Sequence, residues 1–329
     1  MSKKQPFVSI CTPTFNRRPF IPYIIKCIEN QTYPKKRIEW IVIDDGTDKI
    51  EDLVSHLPYV KYSYYSEKMT LGKKRNLAHA KSKGSILVYM DDDDYYPPER
   101  ISHAVDTLQQ NPGALCAGSS LMHIYFKHVN KMYAFGPYGP NHATAATFAF
   151  RRELLTHTSY EETASLAEEK HFLKNYTIPF VQLDSFKTIL VFSHIHNSLD
   201  KKTLLEPNRL NKFVNVSQVS VNDFIKDSYL MDFYINDIDT ALEKYDQGKP
   251  ENKPDVIKQL HEMAHERDKL VLQHQLSQTQ QQAQHMYEEL QKTLMENGHL
   301  REKIEYLENK IKTIINKKIS DYRIIPTKN

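Results

Sequence analysis

Four consecutive aspartates, Asp91, Asp92, Asp93 and Asp94, follow the apolar run 86–90 (ILVYM) and precede Tyr95, Tyr96, Pro97 and Pro98. Adjacent like charges repel, so such a run calls for a cation. A divalent ion with oxygen ligands, Mn2+ or Mg2+, matches carboxylates and phosphate oxygens. A second acidic pair, Asp44 and Asp45, ends the apolar run 38–43 (IEWIVI), and the cations Lys73 and Arg75 lie between the two clusters in sequence. Acid, base and acid on one edge suit a metal-bound nucleotide diphosphate. One carboxylate takes ribose hydroxyls or a base N–H, another takes the metal, and cations neutralise the phosphates. No Walker loop and no GxGxxG follows the first apolar run, which argues against an ATPase or a nicotinamide dehydrogenase. A solvated acidic loop is the bland alternative. The apolar strand before the aspartates, in a βα context, favours a ligand site instead.

The elements that must position these groups alternate. Strands are expected at 7–11, 38–43, 60–64 and 85–90. Between them come helices at 19–30, with Ile21, Ile24, Ile25 and Ile28 at helical spacing, at 50–57 and at 70–80. This order predicts a parallel sheet wrapped by helices, with the loops after the strands sharing one edge. The pattern then becomes mixed. A helix at 98–110 is followed by a hairpin, 121–126 with 132–135, and by a turn-rich loop at 136–142. A strand at 144–150, a helix at 165–176 carrying Glu168 and Glu169, and strands at 180–183 and 187–192 complete this part.

The net charge of +3 supports neither a nucleic-acid nor a membrane surface argument. Cys11, Cys27 and Cys116 are scattered and odd in number, as buried thiols in a reducing compartment would be. The N-terminal residues hold no signal-peptide core, and no run approaches the ~20 apolar residues of a membrane helix. A soluble, cytoplasmic chain is expected. From about residue 206 the character turns helical, with turn formers at 248–254. Beyond them Leu272, Leu276, Ala283, Met286, Leu290, Asn297, Leu300, Ile304, Leu307, Ile311 and Ile314 repeat at coiled-coil spacing. That seam predicts a homodimer, with Asn297 at a core position fixing register.

Four segments in order, 8–16 (VSICTPTFN), 39–48 (EWIVIDDGTD), 72–76 (GKKRN) and 89–94 (YMDDDD), resemble glycosyltransferase family 2, of GT-A fold. The resemblance spans roughly residues 5–200. The fold it implies is α/β, a Rossmann-like, mostly parallel central sheet flanked by helices, followed by an α-helical coiled coil. The expected division is 1–206 for the GT-A domain, 207–250 for a helical connection, 251–318 for the coiled coil and 319–329 for a tail.

The resemblance implies metal-dependent, inverting transfer from a UDP-sugar to a hydroxyl of a carbohydrate, a glycosylated molecule or a protein. Thr12, Pro13, Phe15 and Arg17 would line the base pocket, with Asp44 or Asp45 on the uracil. Asp91 would meet the ribose and Asp93 the metal, and a one-residue slip to Asp92 and Asp94 stays open. Arg75 and Lys73 would face the phosphates. The acidic pair at a helix start supplies the base, Glu169 ahead of Glu168. A histidine after the last strand, His196 ahead of His194, would complete the metal site, and His142 and Thr144 would touch the sugar. A catalytically inactive GT-A domain serving as a scaffold is the alternative.

Overall fold

The computed structural model describes residues 5–207 and 212–323. The chain divides into two units, residues 1–260 and 261–329.

In the first unit, β1 (Val8–Thr14) and β2 (Ile38–Asp44) are buried along their whole length. Burial on both faces is what a central parallel strand requires, and it accounts for their continuous apolar runs. Between them α1 (Ile21–Glu29) packs Ile21, Ile24, Cys27 and Ile28 inward. Next come α2 (Glu51–Val54), β3 (Val60–Tyr64), α3 (Leu71–Lys81) and β4 (Ile86–Tyr89). After α4 (Arg100–Gln110) the chain forms β5 (Cys116–Gly118), β6 (Met122–Phe126), β7 (Lys131–Phe135) and β8 (Ala149–Arg151). Then follow α5 (Glu169–Phe172), β9 (Phe180–Gln182), β10 (Leu190–Ser193) and β11 (Val214–Val216).

The main sheet has seven strands in the order β3-β2-β1-β4-β8-β5-β9. β8 pairs antiparallel with both β4 and β5, and the other pairings are parallel. The ends of β1, β2 and β4 therefore open on one edge, carrying Phe15 to Arg17, Asp44–Asp45 and the four aspartates. A smaller sheet, β10-β6-β7-β11, stands beside it.

Two local outcomes differ from the periodicity. The expected helix over 165–176 shrinks to α5, because Ala167 before it and Lys174, Asn175 and Tyr176 after it all have positive φ. The strand expected at 144–150 begins as a 3-10 turn, Ala145–Thr147, and becomes extended only at β8.

Short helices α6 (Val221–Phe224), α7 (Ser228–Asp232) and α8 (Ile238–Glu243) close the unit, with a π-helical turn at Phe233–Asp237 between the last two. Phe233 and Tyr234 are buried there, and Tyr234 donates to the backbone of Asp94 at 2.9 Å. The turn formers at 248–254 do not hang free: Gly248 and Lys253 are buried. At Pro254 the long α9 (Pro254–Arg323) begins.

The second unit is the continuation of α9, and its seam residues, Leu272 to Ile314, are exposed. No helix among the described residues is long and apolar enough to cross a membrane. Cys11, Cys27 and Cys116 are free and buried.

Candidate active site

β4 hands the four aspartates different environments within one turn. Asp91 lies 3.5 Å from Arg75 Nη1. Arg75, nearly sealed, gives its Nε to Glu168 Oε1 at 2.9 Å and stacks 4.4 Å over the Tyr89 ring. Asp93 takes Arg17 Nη2 at 3.1 Å and faces His194 Nε2 at 3.4 Å. Burial opposes its charge, but Arg17 and His194 outweigh burial and hold it well below the usual carboxylate range. Asp92 meets Arg17 Nε at 3.5 Å, and among the described residues its Oδ2 is buried without a hydrogen-bond partner. Burial and the neighbouring Asp93 charge push it up to about 7. Asp94 turns away from the edge toward the smaller sheet, accepting from the Phe192 N–H at 3.4 Å, and burial raises it well above its ordinary value.

The β2 pair also separates. Asp44 serves its own loop, accepting from the Gly46 N–H at 2.9 Å and from the Tyr62 hydroxyl at 2.7 Å. Asp45 binds Lys74 Nζ at 2.8 Å. On α3, Lys73 is exposed, whereas Lys74 and Arg75 point inward. The start of this helix can lie against the 161–164 loop because residue 72 is glycine: a Cβ there would meet the Glu161 carbonyl oxygen at 2.0 Å.

Some of these groups meet in a cavity of about 140 Å³, whose lining does not include Asp44, Asp45, Asp94, Lys73, Arg75 or Glu168. Asp91, Asp92 and Asp93 lie on it with Pro13, Phe15 and Arg17, and so do three lysines, Lys68, Lys74 and Lys253. Sequence reasoning missed Lys68, Lys74 and Lys253. None of the three sits in a pattern that sets it apart in the sequence. Thr12 is not on the cavity; it is buried in the sheet, where its hydroxyl donates to Met90 O and accepts from Trp40 Nε1.

His194 is buried and stands behind Asp93. Its Nδ1 accepts the His196 N–H at 3.2 Å, and its Nε2 lies 2.8 Å from Asn197 Nδ2 and 3.4 Å from Asp93. Burial drives it down to about 3, which keeps it neutral. The His196 ring is buried with neither nitrogen partnered, and it packs against Gly248. Glu168 is committed to Arg75. Glu169, on the first turn of α5, is raised above its ordinary value by burial and by the charge of Glu168. His142 and Thr144 sit apart from the cavity, His142 between the rings of Tyr138 and Tyr176 and Thr144 against Met122.

Among the described residues, no three His, Cys, Asp or Glu side chains cluster as a metal cage. Mg2+ and Mn2+ bound with a nucleotide need fewer protein ligands, because the phosphates supply the rest. The unpartnered Asp92 Oδ2 beside the ionised Asp93 suits such an ion.

Residues 9–157 match the family model described as Glycosyl transferase family 2. This segment is a glycosyl transferase family 2 domain. Its parallel strands and flanking helices are those of the GT-A fold.

An uncharacterized glycosyltransferase of Haemophilus influenzae is 23% identical over 226 residues, spanning 66% of this chain and 82% of that protein. A second from the same organism is 27% identical over 106 residues, 32% of this chain and 35% of that protein. The crystal structure of Staphylococcus aureus TarS 1-349 in complex with UDP-GlcNAc is 18% identical and covers 56% of this chain and 58% of its own, with a TM-score of 0.45. The chain thus spans well under two thirds of the length of two of these three proteins. The family 2 domain supplies Asp44–Asp45, Lys74, Arg75 and the four aspartates. Glu168, Glu169, His194, His196 and Lys253 come from beyond it.

Proposed function

We propose that this chain is a metal-dependent, inverting glycosyltransferase that moves a sugar from a UDP-sugar to an acceptor hydroxyl. The observation that carries this reading is the cavity at the strand edge, which Asp91, Asp92 and Asp93 line together with Lys68 and Lys74. A sugar diphosphate needs that mixture of charge: carboxylates for a cation and a ribose, ammonium groups for phosphate oxygens. A divalent ion, Mn2+ or Mg2+, held by Asp93 with Asp92 beside it would supply counter-charge for the diphosphate.

Glu169 is the proposed base. It takes the acceptor proton as that oxygen bonds to the anomeric carbon, while the bond from that carbon to the diphosphate breaks and its electron pair leaves with the diphosphate. Glu168 is held by Arg75 and acts through it on Asp91, as a positioning residue. The exposed apolar seam of α9 supports a homodimer, since a helix with such a stripe is stable when the stripe is covered.

The test is UDP release from a panel of UDP-sugars with Mn2+ or with EDTA. Turnover that EDTA abolishes and Mn2+ restores, and that Asp93→Asn removes, is the expected result. A chain that binds no UDP-sugar in Mn2+ would refute the enzyme reading and leave the scaffold.

A further inference from the structure

The cavity is lined in part by a segment outside the family 2 domain, through Lys253, Asp255 and Val256. Residues 246–259 form this strap, tied down at both ends. Asn16 Nδ2 donates to Gln247 O at 2.9 Å and Arg17 Nη1 to Gly248 O at 3.4 Å. Further along, Asp255 accepts from Ser165 Oγ at 2.7 Å and pairs with Lys68 at 3.3 Å. Gln259 Oε1 takes the backbone N–H groups of Ser165 and Leu166. The fit is close. A Cβ on Gly248 would meet His196 Nδ1 at 2.6 Å and Asn16 O at 2.9 Å.

Between the two tethers the strap sends one side chain inward. Lys253 is 5% exposed and lies on the cavity with Asp92 and Asp93. Its Nζ donates to Ser198 Oγ at 2.9 Å and to His196 O at 3.4 Å, both neutral oxygens. Its neighbours on the cavity are already matched: Lys74 has Asp45, Lys68 has Asp255, and Arg17 has Asp92 and Asp93. Lys253 is the buried amine there with no carboxylate within ion-pair distance among the described residues, and burial holds it well below the usual lysine range against the pull of Asp93 and Asp92. A buried ammonium is costly unless it is paired, and the partner this position leaves open is an anion entering the cavity.

We propose that Lys253 binds the diphosphate of the nucleotide donor and that the strap 246–259 is the part of the chain that closes the donor site. The proposal rests on the nucleotide-sugar reading above. It places a donor-binding group more than ninety residues beyond the family 2 domain, on the turns that lead into α9. The diphosphate joins Lys253 on the strap to the groups of the strand edge, so donor binding and strap closure favour one another.

The experiment compares UDP with uridine, each in Mn2+, on the full chain and on Lys253→Gln and Lys253→Arg, by calorimetry and ligand-observed NMR. Hydrogen bonds to charged groups contribute about 1.5–3 kcal/mol. Lys253→Gln should therefore weaken UDP roughly ten- to hundredfold, leave uridine unchanged, and be largely rescued by Lys253→Arg. In the unaltered chain, hydrogen exchange at the amides of 246–259 should slow with UDP and not with uridine, a reading that needs no variant to fold. UDP affinity unchanged in Lys253→Gln, or a parallel loss for uridine, would overturn the role of Lys253. Strap amides indifferent to UDP would overturn the closure. A wild-type chain that binds no UDP at all is a different failure, and it removes the function proposed above along with this inference.

Discussion

Arg75 is the place where charge, packing and the candidate chemistry can be tested together. Arg75→Met keeps most of the side chain's length and volume, so little cavity cost is expected. What it removes is the partner of two carboxylates. The Glu168 contact is 2.9 Å, and the two side chains are 2% and 5% exposed, so little water can replace the guanidinium. Taking one member from such a pair costs about 3–5 kcal/mol. The Asp91 contact is longer, 3.5 Å, with the carboxylate 23% exposed, and it adds less. The lost stacking over Tyr89 adds about 0.5–2 kcal/mol. A loss of about 3.5–7 kcal/mol is therefore expected for Arg75→Met.

Adding Glu168→Gln removes the stranded charge, so the double variant should recover about 2 kcal/mol relative to the sum of the single losses. Trp40, the single tryptophan, is fully buried in β2 and reports unfolding of this unit in urea by its fluorescence. If the double variant loses the sum of the two single losses to within about 0.5 kcal/mol, the two side chains are not coupled and the reasoning is wrong.

Glu169→Gln should retain UDP affinity and lower kcat roughly 100- to 10,000-fold, the usual worth of a positioned base. Because burial raises Glu169 above its ordinary 4.5, the acid limb of kcat/KM should lie above that value, with turnover falling as the pH drops through it and the base takes up a proton. Intact turnover in Glu169→Gln would move the base elsewhere. A chain ending at Leu260 keeps the strap and loses the seam, so light scattering should report a monomer where the full chain is a dimer. An unchanged subunit number would remove the tail from the interface.

The parts of the site legible in the sequence were those carried by short-range pattern. Residues 60–64 form β3 as periodicity suggested, and the apolar run before Asp91 forms β4, because strand-length apolar segments declare themselves locally. The aspartates stood out by type, but their division of labour did not. Asp93 is set apart from Asp92 by His194 and by the closer approach of Arg17, both from other elements. Lys73 and Lys74 are adjacent in sequence and differ only in helical phase. α3 buries Gly72, Lys74, Arg75, Ala78 and His79, a face too polar to reveal its direction as an apolar stripe. Lys253 was illegible for another reason: the turn formers around it read as a connection, and only contacts with residues 16, 17 and 165 make it part of a site.

The tether between Asn16 and Gln247 spans 231 positions of the chain. Synthesis delivers residues at roughly 5–20 per second, so some 10–50 seconds separate the two partners as they leave the ribosome. β1, β2, β3 and β4 are all complete by residue 89 and can pair long before then. From the emergence of residue 94 to that of residue 247 the acidic edge exists without its cover. The cavity is thus the last feature of this unit to mature, and a chain halted between residues 216 and 246 would hold both sheets folded with its aspartates open to water.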